Sequence, residues 1–188
     1  MSLNWHDVWE RKRHLDTVDL KELNGYEETT IDPKMVANQI TKILEIKPTN
    51  KILEVGCGAG MLAQYLNCDY VGVDYSQSLV KKHIKLLNNS VIHGSGNNLI
   101  FKDNSFDKAF SYSVFHYFPN LEYAQTVIEE MKRVSKTSIF IGDLTIRSHR
   151  SEHILFKPQN FPMAEISKGF YNPDRFNVLI KHNSIVQL

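Results

Sequence analysis

Apolar residues along the chain gather into short unbroken runs that alternate with stretches of helical period. The runs are Ile52-Leu53-Glu54-Val55, Tyr70-Val71-Gly72-Val73, Val91-Ile92, Ala109-Phe110 onward to Val114, and Ser138-Ile139-Phe140-Ile141. Runs of this kind suit strands buried between two layers. Between them lie three stripes at 3.6-residue spacing: Val36, Ile40, Ile43 and Leu44; Leu79, Val80, His83, Leu86 and Leu87; and Leu121, Ala124, Val127, Ile128, Met131 and Val134. Each predicts a helix that lays one face on a sheet. Asp32-Pro33, Ser76 and Pro119-Asn120 stand at the three helix starts, where a side-chain oxygen can cap free backbone N–H groups. Strand alternating with helix predicts a single domain over 1–188, α/β and doubly wound. Its sheet is mainly parallel, of order 3-2-1-4-5, with helices on both faces.

The two ends of the chain are less regular. Residues 4–16 set Trp5, Val8, Trp9 and Leu15 near one helical face, which predicts a helix that packs on the domain or caps a site. Residues 17–31 lack periodicity and contain the turn signal Asn24-Gly25, followed by Tyr26 in a loop. From Leu144 to Tyr171 the pattern dissolves into a polar, proline-containing loop. Asn172-Pro173 then predicts a helix to about His182, and Ser184–Leu188 reads as the beginning of a strand.

The first strand runs straight into Gly56-Cys57-Gly58-Ala59-Gly60, and Met61–Leu66 reads as a helix. A turn without Cβ atoms between a strand and a helix start lets a ligand touch the backbone and meet its N–H groups. The second strand ends in Asp74, followed by Tyr75. A carboxylate there can accept hydrogen bonds from both hydroxyls of a ribose. A dinucleotide fingerprint needs G-x-G-x-x-G, and the position after Gly60 is Met61.

Glu54 to Gly60 therefore spells E-x-G-x-G-x-G, which resembles the class I S-adenosylmethionine (SAM)-dependent methyltransferases, with Asp74 and the Asp103–Asp107 run extending the likeness. The resemblance covers roughly residues 35–143. It implies SAM as cofactor, held by Glu54, Gly56, Cys57, Gly58, Gly60, Asp74 and Tyr75. It also sets Ser95, Gly96 and Asn97 near the adenine, with Ser95 where the family commonly has aspartate, and brings a backbone carbonyl of Ser113 to the cofactor's amino group. It gives 1–31 as an N-terminal helical cap and 144–171 as an acceptor-side loop, in which Arg147, His149 and Arg150 are candidate contacts. The family normally ends in an antiparallel strand pair, for which this chain is expected to be at least one strand short.

Phe115-His116-Tyr117-Phe118 sits at the carboxyl end of the fourth strand, the edge where open parallel sheets bind ligands. His116 is the candidate general base, with Tyr117 orienting it; the alternative is a buried histidine with a structural hydrogen bond. Asp143 ends the fifth strand at the same edge. His149 and His153 are four apart, but no helical pattern or third ligand accompanies them, and no metal site is assigned.

A formal charge of +1 leaves no large field to attract nucleic acid or an anionic membrane. The expected partner is a small-molecule acceptor, and the expected assembly a monomer or homodimer. Cys57 and Cys68 lack metal spacing, and with no signal peptide they indicate a reduced, cytoplasmic protein. Two other readings stay open: a non-catalytic SAM-binding regulator, and a nicotinamide-dependent oxidoreductase.

Overall fold

The computed structural model describes residues 5–12, 17–26, 29–147 and 152–182. Its strands are β1 (Lys51–Val55), β2 (Asp69–Asp74), β3 (Ser90–His93), β4 (Phe106–Tyr112), β5 (Ser135–Thr145), β6 (Glu165–Lys168) and β7 (Arg175–Lys181). They form one sheet of order β3-β2-β1-β4-β5-β7-β6. The first five pair in parallel, and β7 turns back antiparallel to both β5 and β6. Between β1 and β4 the strand order reverses, which opens the crevice where this kind of sheet takes its ligand.

The sequence period decides which layer each strand residue joins. Ile52 faces one way, with Phe110 and Phe140, against Val36, Ile40 and Leu44 from α3 (Pro33–Ile43) and its end. Leu53 and Val55 face the other way, with Ala109, Ile139 and Ile141, against α5 (Leu121–Val134). All of these are at most 3% exposed, and full burial of one aliphatic side chain stabilises by about 1.5–3 kcal/mol. The caps act as read: Asp32 accepts the Lys34 N–H at 2.9 Å, and Asn120 accepts the Tyr123 N–H at 2.8 Å. Ser76 accepts the Leu79 N–H at 3.3 Å and starts α4 (Gln77–Leu87), which ends at Asn88 in the left-handed region.

Three expectations are corrected. Met61–Leu66 makes a tight turn and one 3-10 turn (Ala63–Tyr65) in place of a helix, because only a short connection remains before β2 begins at Asp69. The stretch after Asn172-Pro173 is strand β7: Asn172 accepts the Asp174 N–H at 2.8 Å and shapes a turn, and Phe176, Val178 and Ile180 are buried at every second position. The closing antiparallel pair is therefore complete, since β6 lies inside the stretch read as loop. At the other end, α1 (Trp5–Arg11) forms, and a short α2 (Leu20–Leu23) capped by Asp19 appears where no period was visible. Leu15 and Ser184–Leu188 lie outside the described residues.

Candidate active site

A cavity of about 590 Å³ opens at the carboxyl ends of β1, β2 and β4. That lies within the ~300–1,000 Å³ usual for small-molecule sites. Its floor is the glycine loop, and each backbone N–H of that loop has a protein partner. Gly56 and Cys57 donate to Val73 O at 2.8 and 3.2 Å, and Gly60 to Cys57 O at 3.1 Å. Gly58 donates to Asp74 Oδ2 at 2.7 Å, and Ala59 to Asn24 Oδ1 at 2.9 Å. The expectation that the loop offers free N–H groups at a helix start is thus corrected: the loop offers close backbone approach, and no regular helix follows it. Gly56 and Gly60 must lack side chains, having φ of +79° and +94°. A Cβ would stand 2.5 Å from Val114 Cγ2 in the first case and 2.5 Å from Leu87 Cδ1 in the second.

Burial controls the charge state of the loop's neighbours. Asp74 is 6% exposed, and desolvation lifts its pKa to about 6 even though the N–H groups of Ser76 and Gly58 bond its two oxygens. Each oxygen keeps further lone-pair capacity towards a ligand hydroxyl. Glu54 accepts a 2.6 Å hydrogen bond from Tyr70, and burial pushes its pKa to about 8. Beneath the loop, His83 bridges Gly58 O (3.1 Å) and Asn89 Nδ2 (3.2 Å), and burial lowers its pKa to about 4. The ring is neutral and props the turn from behind.

The opposite wall is aromatic. Trp5 and Trp9, both tryptophans of the chain, line the cavity and meet the Tyr117 ring edge-on at 4.7 and 5.2 Å. The Tyr75 hydroxyl donates to Trp5 O at 3.2 Å and joins α1 to the end of β2. Ser113, just past β4, and Asp143, at the irregularity within β5, have φ of +58° and +64°, and the Ser113 hydroxyl donates to Asp143 Oδ2 at 2.7 Å. Backbone strain at two neighbouring positions is the kind that ligand sites hold.

Of the residues singled out from sequence, Glu54, Gly56, Cys57, Gly58, Asp74, Tyr75, Ser95, Ser113 and Tyr117 line the cavity. Gly60, Gly96, Asn97 and His116 do not. Gly60 packs against His83 and Leu87, and Asn97 Oδ1 accepts the Ser95 hydroxyl at 2.7 Å. His116 is 2% exposed, and its Nδ1 accepts from Arg175 Nη1 at 3.2 Å. Burial, with help from Arg175 and His153, holds its pKa well below the ordinary value. The structure therefore brings His116 into a polar cluster behind the wall, with Arg175 also bonded to Thr145 Oγ1 and Asp143 O. Arg147 is exposed, while His149 and Arg150 lie outside the described residues.

Sequence reading missed Asn24. Its signal as the first half of Asn-Gly is a turn signal, and the carboxamide's reach to Ala59 depends on a contact between residues 35 apart in the chain. Among the described residues, no group of three or more His, Cys, Asp and Glu is placed to hold a metal, and no helix is long and apolar enough to cross a membrane.

Glycine cradle, buried strand-end carboxylate and aromatic wall meet at the switch point, an arrangement that resembles a class I methyltransferase site. Residues 53–140 match the family model described as a methyltransferase domain. The chain is 37% identical over 98 residues to an uncharacterized protein of Methanocaldococcus jannaschii, covering 52% of this chain and 38% of that one. It is 28% identical over 144 residues to the 24-methylenesterol C-methyltransferase 2 of Arabidopsis thaliana, covering 70% of this chain and 38% of that protein. The chain thus spans under two-fifths of the length of either curated relative. Among solved structures, the magnesium protoporphyrin IX methyltransferase of Synechocystis PCC 6803, crystallised with SAM, superposes with a TM-score of 0.63. The identity is 14%, over 94% of this chain and 90% of that one. Residues 53–140 thus resemble a methyltransferase domain, and the chain's fold is that of the Synechocystis methyltransferase.

Proposed function

We propose that the protein transfers a methyl group from SAM to a small-molecule acceptor. The observation that carries this reading is Asp74: a buried carboxylate ending β2, bonded to the glycine loop and lining the cavity. The residues present fit the cofactor. Asp74 would hold the ribose hydroxyls, the Gly56–Gly58 backbone would lie against the amino-acid tail, and Ser95 and its neighbours would meet the adenine. When bound, SAM supplies a methyl already activated by its sulfonium for an in-line displacement.

The chain then contributes alignment and exclusion of water, which in favourable cases lower a barrier by up to ~7–11 kcal/mol. No described histidine lines the cavity, whose two carboxyl groups are already hydrogen-bonded within the fold. Burial raises Tyr26, Tyr75 and Tyr112, while Glu54 titrates near 8 and Asp74 is committed to the cofactor. An acceptor that is already nucleophilic at neutral pH fits best. The free cysteines, Cys57 and Cys68, accord with a reducing, cytoplasmic setting.

Calorimetric titration with S-adenosylhomocysteine tests the reading. Binding is expected, weakened about 10–100-fold in Asp74→Asn. Equal affinity of wild type and variant, or binding of NADH in place of the homocysteine product, would overturn it.

A further inference from the structure

We infer that the acceptor is an uncharged aromatic molecule presenting an N–H or O–H donor, with neither carboxylate nor phosphate. This deepens the proposed methyl transfer and rests on it. Eight of the residues lining the cavity are aromatic. The Trp5 and Trp9 rings each meet the Tyr117 ring, so the wall offers flat faces and edges to a ring-shaped guest.

The charges present favour the same class. No described Lys, Arg or His lines the cavity, while Glu54 and Asp74 do. An anionic acceptor would lose its water and meet no cationic side chain among the described lining residues. Arg175, at the same end of the sheet, directs its guanidinium behind the wall to His116, Thr145 and the Asp143 carbonyl.

Ser113 supplies the polar contact. Its hydroxyl proton goes to Asp143 Oδ2 at 2.7 Å, so its oxygen presents only lone pairs, shared between the neighbouring Tyr26 hydroxyl and a guest. A donor on the acceptor satisfies that oxygen, and an acceptor group does not.

Both tryptophans lie in the wall, so nitroaromatic probes that quench their fluorescence report occupancy directly. We would titrate 4-nitroaniline, 4-nitrobenzoate and N,N-dimethyl-4-nitroaniline, each with and without saturating S-adenosylhomocysteine. With the homocysteine present, 4-nitroaniline is expected to bind at least about tenfold tighter than 4-nitrobenzoate. It should also bind about 2–10-fold tighter than its dimethyl analogue, a preference that Ser113→Ala abolishes. Equal or tighter binding of the benzoate, or a preference over the dimethyl analogue that survives Ser113→Ala, overturns the inference. A protein that sorts the probes as expected but does not bind S-adenosylhomocysteine overturns the cofactor assignment alone.

Discussion

The two sides of the cavity are held together by different means. On the glycine-loop side, backbone N–H groups are tied down: five consecutive ones, Gly56 to Gly60, bond the Val73 and Cys57 carbonyls and the side-chain oxygens of Asp74 and Asn24. On the aromatic side, rings from distant segments lean on each other, Trp5 and Trp9 from α1 against Tyr117 after β4. The first arrangement tolerates almost no change of side chain. The second depends on shape and apolar area, which many side-chain combinations supply. One side is thus built for a fixed guest, and the other can be re-cut for a different one.

Substitutions can break that contrast or sharpen it. The largest effect is expected from Gly60→Ala, where a Cβ would meet Leu87 Cδ1 at 2.5 Å and His83 Nε2 at 2.7 Å in a left-handed backbone. A loss of about 2–4 kcal/mol in denaturant unfolding is expected; a loss below 0.5 kcal/mol, roughly the scale of a neutral surface change, would mean the loop is as plastic as the wall. Asn24→Ala comes next, since it leaves the Ala59 N–H without its partner at a cost of about 1–3 kcal/mol. Part of that cost should appear as weaker S-adenosylhomocysteine binding, by calorimetry.

Acidity provides a graded effect, spread over several pH units. Burial raises Glu54 from 4.5 to about 8, so folding favours its protonated form. The stability it contributes is complete below about 4.5 and is lost as pH rises through about 8. Unfolding free energy should decline across that window by at most ~1.4 kcal/mol per pH unit from this group. Glu54→Gln should flatten the decline, as measured by urea unfolding at a series of pH values. The smallest expected change is Tyr117→Leu, with S-adenosylhomocysteine affinity within about twofold of wild type. If that affinity falls tenfold, the two sides are energetically one.

The same contrast explains what could be read from sequence. The helix caps were legible because each depends on neighbours a few residues away, as with Asp32 and Lys34 or Ser76 and Leu79, and the sheet order and the glycine-carboxylate pair because strand alternating with helix leaves few topologies. Asn24 was not, because its partner is fixed only by the fold. His116 lies at the expected strand end, but no local rule says that it points away from the cavity to Arg175. The stretch after Asn172 misled for a different reason. Asx followed by Pro opens helices and turns alike, and only the alternate burial of Phe176, Val178 and Ile180 separates the two.

The reversal of β7 has a consequence for how tasks are shared along the chain. A parallel strand offers the ligand edge its last residue; a strand entering from that edge offers its first. Arg175 pairs across from Thr145 for this reason, so a polypeptide shortened behind residue 171 would lose more than a hairpin. It would leave His116 and Asp143 deprived of their shared guanidinium behind the aromatic wall.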